Sequence, residues 1–176
     1  MKWTVLAVYA AYMGQAEAAT WVLCSYVWSI VEVFPENVAN AAAYRVAHQL
    51  SRDNVTAGKE VVDYAFRTVS IISIISSIVL FLSRKVIVWC LSLDDTIEQM
   101  LLEVIPYIAI CQALITVGIV ATSLNETLSM YGKSVKAFLL STMVITLPLG
   151  FIMTYILKYN IEGLAAAMCI GYTVSG

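Results

Sequence analysis

Glu32 and Glu36, with Pro35 between them, are the residues of this 176-residue chain whose types and spacing point most directly to chemistry. Carboxylates at positions i and i+4 share one face of a helix. A proline inside that helix lacks a backbone N–H, so Pro35 leaves the carbonyl of Val31 without its usual donor. Two acids and a freed carbonyl on one face make a site for a proton or a Na⁺ ion. An acid near the centre of a bilayer costs about 2.5–3.5 kcal/mol on insertion scales, and such residues generally face a cavity or a partner. The competing reading is that Pro35 ends the helix and that both acids are hydrated at an interface.

Gln112, followed one turn later by Thr116, forms a second pair. Both sit in the charge-free run Val104 to Asn125, where they can line a substrate path. Interhelical hydrogen bonding accounts for them equally well. Tyr26, Trp21 and Trp28 precede Glu32 on the same helix and offer aromatic faces to an organic cation, although Trp and Tyr are also the usual belt residues of membrane helices. His48, the one histidine, reads as a solvated helix-end residue.

Other chemistries find no support. Thr56-Ala-Gly-Lys lacks the first glycine and the trailing hydroxyl of a phosphate loop, so no ATPase is expected. Cys24, Cys90, Cys111 and Cys169 stand singly in apolar runs, which argues for packing rather than for a metal centre or a disulfide framework. The net charge of −2 supplies no basic field for nucleic acid. We therefore expect no catalytic residue, metal or organic cofactor, and no nucleic-acid partner. The chain is not expected to be an enzyme.

The elements that must position these residues follow from composition. Apolar residues make up 61% of the chain and charged residues 12%, against about 45–50% and 25% in soluble domains. That is an all-α, polytopic membrane bundle with lipid as its surroundings. A helix needs about 20 apolar residues to cross the hydrocarbon, and the chain divides as one transmembrane domain, 1–176, into spans at 1–14, 18–50, 60–83, 104–125, 137–157 and 163–176. The segment 18–50 is too long for an upright span and is expected to bend at Pro35. Gly14 to Glu17 reads as a turn, and Val86 to Leu93 as a short interfacial segment before Asp94 and Asp95 open the next helix. Lys2, Arg45, Arg52, Lys59, Arg67, Lys133 and Lys136 fall on one side of these spans, and Arg84, Lys85 and Lys158 on the other. The positive-inside rule puts the first side in the cytoplasm. This predicts that the sequons at Asn54 and Asn125 are not glycosylated. The last run stops short of a span and the first begins abruptly, so part of a longer protein is expected.

Four motifs in series connect this pattern to a family. Pro35 is followed, after nine residues, by Arg45-Val-Ala-His-Gln-Leu-Ser-Arg-Asp-Asn; then come Val104-Ile-Pro-Tyr-Ile-Ala, Leu147-Pro-Leu-Gly and Ile161-Glu-Gly-Leu. In order and spacing the chain resembles the C-terminal half of the multidrug and toxic compound extrusion (MATE) transporters. Arg45 matches the arginine of that family's P-x9-R-V-G-N helix end, while the glycines after it become Ala47, Ser51 and Asp53. A G-V-L-R-G motif of the family is replaced by Ser123-Leu-Asn-Glu-Thr-Leu-Ser, with Glu126 in place of an arginine. Positions that are acidic in many eukaryotic relatives are Thr4, Tyr26 and Ile115. The resemblance implies most of one six-helix lobe and efflux of organic, often cationic, drugs and xenobiotics by antiport with H⁺ or Na⁺. It implies as partners membrane lipid, a small organic cation and a missing N-terminal lobe, without which the chain should not transport. A lipid or polysaccharide flippase of the same superfamily would share the helices but favour a more basic cavity. A non-transporting membrane subunit or decayed paralogue would account for the missing acids.

Overall fold

A computed structural model describes residues 2–91 and 94–175. Among them the chain is helical from end to end: α1 (Lys2–Met13), α2 (Gln15–Leu50), α3 (Val55–Leu91), α4 (Asp95–Leu114), α5 (Thr116–Thr127), α6 (Tyr131–Leu140), a π-helical segment Ser141–Thr146, α7 (Leu147–Phe151), a second π segment Ile152–Ile156, and α8 (Asn160–Ser175). Three of these, α2, α3 and α4, are long and apolar enough to cross a membrane.

Several boundaries differ from those the charge pattern predicts. The break between α1 and α2 is Gly14 alone, because Gln15, Ala16 and Glu17 already have helical geometry. Pro35 neither ends nor interrupts α2; it is buried inside one unbroken helix of 36 residues. Asn37 donates from its side chain to the Val33 carbonyl at 2.7 Å, adding a hydrogen bond in the turn that the proline weakens. The expected interfacial segment after residue 85 is, as far as Leu91, the end of α3, since nothing in Val86 to Leu91 breaks a helix; Ser92 and Leu93 lie outside the described residues. The run 104–125 is split at Ile115 into α4 and α5. Beside that junction Thr116 turns its hydroxyl back to the Ala113 carbonyl, 3.4 Å away, a local bond of the kind that competes with regular helix.

The α2–α3 hairpin is the spine. Its turn is closed by Asp53 in left-handed geometry (φ 57°) and by the Asn54 N–H donating to Gln49 O at 3.1 Å, while the Asn54 side chain caps the Ala57 N–H. Helices of 36 and 37 residues are roughly 54 and 56 Å long at 1.5 Å per residue. Both exceed the ~30 Å hydrocarbon layer. Glu17, Thr96, Gln99, Lys158 and Tyr159 line one cavity, so the α1–α2, α3–α4 and α7–α8 connections meet at one end of the bundle. Asp94 opens α4 there by accepting from the Thr96 N–H.

Side chains sort as they should for lipid. Trp21, Trp28, Leu101, Ile105, Ile108, Leu164 and Met168 are fully buried, whereas Ile71, Ile74, Ile75, Ile78 and Leu82 stand exposed along α3. Lipid tails are as apolar as these side chains, so close packing rather than burial holds such helices together. The α8 contacts show how. Thr146 Oγ1 of the first π segment occupies the place that a Cβ on Gly171 would need, and Gly163 lies against the Met153 backbone. Ser141 Oγ then donates to Gly171 O at 2.6 Å.

Candidate functional site

Residues 32, 36 and 40 lie four apart and form one stripe on α2. Opposite them, Ile115, Gly118, Ile119, Thr122, Ser123 and Glu126 form a stripe of three- and four-residue steps along α5. Tyr172 of α8 closes the space between the two. The result is a cleft of about 210 Å³. Glu32 is half-buried, while Glu36 and Glu126 are exposed within the chain taken by itself. The lining carries three carboxyl groups and no basic side chain.

One of these carboxyls is held from behind. The Trp28 indole N–H donates to Glu32 Oε2 at 2.6 Å, an i,i+4 bond along α2. Trp28 is 1% exposed, and its ring stacks on Tyr172 at 5.4 Å and 18°. Trp3 of α1 tilts against both Trp28 and Trp21, with centroids at 5.8 and 4.8 Å. Trp21 returns a hydrogen bond to the Trp3 carbonyl at 3.1 Å. Aromatic contacts therefore run from α1 through α2 to the wall of the cleft on α8.

Of the residues singled out in the sequence, Glu32 and Glu36 come together in the cleft. Pro35 packs in the interior beside them without lining it. Tyr26 does not join them: it is 64% exposed, because the six residues to Glu32 carry it to another face of the helix. Gln112 and Thr116 are buried on α4 and at the start of α5, next to the Ile115 wall but not part of the lining. Both amide atoms of Gln112 lack a hydrogen-bond partner. Arg45 is exposed near the end of α2, beyond the cleft. Among the lining residues that the sequence reading did not assign to the site are Glu126 and Tyr172. Glu126 ends a stripe at helical spacing and stands as an acid closing a charge-free run, which was the available signal; Tyr172 gave none.

Chemically, the arrangement suits a diffuse positive charge. Among the described residues no three His, Cys, Asp or Glu side chains converge as metal ligands do. The cavity at the helix connections also gathers three acids, Glu17, Glu103 and Glu162, but with Lys158 among them. The groove between α2 and α3, about 500 Å³, is walled by Ile30, Phe34, Ile72, Ile75 and Val79 and holds no charged group.

Helices with an exposed apolar surface around a cleft lined by acids define the class, an all-α integral membrane protein. The family model MatE matches residues 3–156. The chain belongs to the MatE family and is thus of the MATE transporter type. No curated protein matches it.

Proposed function

We propose that the chain serves secondary active efflux of organic, chiefly cationic solutes, drugs and xenobiotics among them, and that Glu32, Glu36 and Glu126 are occupied in turn by the solute and by the coupling ion, H⁺ or Na⁺. One observation carries this reading: α2 and α5 bring three carboxyls and no basic group to a single cleft. Glu32 lies near the midpoint of α2, and secondary transporters keep substrate and ion sites near the bilayer midplane, at the interface between repeats. The open side of the cleft is then covered by a second lobe, and the outer face of α3 by membrane lipid. A flippase for anionic lipid headgroups is disfavoured, since such a headgroup would meet three carboxylates.

Exchange makes a direct prediction. Tetraethylammonium bound to the purified chain in lipid nanodiscs should be released when Na⁺ is added or when acid protonates the carboxylates, and Glu32→Gln should bind it at least about tenfold more weakly, as expected for loss of a charged partner in a partly buried site. Binding indifferent to both Na⁺ and acid would remove the basis for antiport.

A further inference from the structure

We propose that Trp28 is the positioning residue of the cleft: its indole N–H fixes the Glu32 carboxylate for the cation, and its ring links that carboxylate to the wall formed by Tyr172. The inference rests on the cation reading of the cleft and goes beyond it by assigning a role to a side chain that does not line the cleft.

Three contacts converge on Trp28. The 2.6 Å bond to Glu32 Oε2 is short for an N–H donor, as charge-assisted bonds to a carboxylate are. It engages one oxygen and leaves Oε1 for a ligand. The stack on Tyr172, 5.4 Å and 18°, ties the same indole to α8. Trp3 of α1, 5.8 Å away, backs the indole from the third side. With 1% of its surface exposed, Trp28 has little freedom to follow a carboxylate that moves. Glu32 therefore keeps one rotamer only while α1, α2 and α8 keep their packing. Reciprocally, a cation that draws on Glu32 alters the load on a contact shared by three helices. Packed interiors respond to such changes by switching between discrete arrangements rather than by yielding smoothly.

Trp21 supplies a matched control. It lies on the same helix, is also 1% exposed and spends its N–H on the Trp3 carbonyl instead of on an acid. Replacing it by Phe removes a buried indole without touching Glu32.

The test uses the full chain in nanodiscs with tetraethylammonium as probe. Trp28→Phe keeps a ring against Tyr172 and deletes the donor; it should weaken binding about tenfold, the range for a hydrogen bond to a charged group. The double variant Trp28→Phe with Glu32→Gln should bind no more weakly than Glu32→Gln alone, because the first residue acts through the second. Trp21→Phe should lower thermal stability comparably yet stay within about twofold of wild-type affinity, because its N–H serves the Trp3 carbonyl and not Glu32. Separately and without cation, the ultraviolet resonance Raman band that reports indole N–H hydrogen bonding should shift in Glu32→Gln. Wild-type affinity in Trp28→Phe, losses that multiply in the double variant, or an unmoved Raman band would each overturn the role of Trp28 while leaving the cleft reading intact. Wild-type affinity in Glu32→Gln would overturn both.

Discussion

A buried amide with nothing to bond is a costly residue to keep. Gln112 is fully buried and neither its oxygen nor its nitrogen has a partner among the described residues, and a buried group left so costs about 1–3 kcal/mol relative to a satisfied one. Leu has nearly the same volume and no polar atoms. Gln112→Leu should accordingly raise stability by about 1–3 kcal/mol in chemical denaturation of the detergent-solubilised chain, with tetraethylammonium affinity unchanged, since Gln112 does not line the cleft. A loss of stability would contradict the unsatisfied state of the amide. The same scale explains what a sequence can tell about a site. Glu32 and Glu36 were legible because their relation is local, four residues on one helix. Glu126 joins them from 90 residues away, through the packing of α5 on α2, and no spacing rule reaches across that distance. Tyr26 stands apart from the cleft for the converse reason: membership of the same helix is not membership of the same face.

Elements carry the second kind of information. Charge-free runs locate membrane helices because lipid excludes charge, and the all-α bundle was legible on that basis, although the run 104–125 falls across the end of α4 and all of α5. What such runs do not reveal is how a helix is wound. The split at Ile115 lies in an apolar stretch, whereas the first π segment, Ser141–Thr146, holds three hydroxyl residues and is followed by Pro148, which leaves the Val144 carbonyl without its usual donor. Packing accompanies this local cause. A π turn widens the helix and re-aims its side chains, and the first segment sits against Gly171, where the absence of a Cβ admits Thr146 Oγ1. A methyl group at that position displaces either the threonine or α8. Gly171→Ala should therefore destabilise the chain by roughly 1–3 kcal/mol, the usual penalty for overpacking, read as a lower melting temperature by circular dichroism. An unchanged melting temperature would mean that the α8 contact is loose.

At the scale of the molecule, the alternation of helices assigns the ends. The α2–α3 turn carries Arg52 and is flanked by Arg45 and Lys59, whereas the opposite end gathers Lys158 with Glu17 and Glu162. With the exposed Cys90 replaced by Ser, a membrane-impermeant maleimide should label Ser51→Cys from the cytoplasmic side and Tyr159→Cys from the other, as the positive-inside rule requires. Labelling of both from one side would refute this orientation. The membership in the MatE family and the cleft between α2 and α5 then combine into one account, in which a cation is held by acids from two helices rather than by the Glu32–Glu36 pair alone. Equilibrium binding of tetraethylammonium to the Glu126→Gln chain in nanodiscs tests that most directly. The account predicts an affinity at least about tenfold below wild type, matching the loss from Glu32→Gln; wild-type affinity in Glu126→Gln would contradict it.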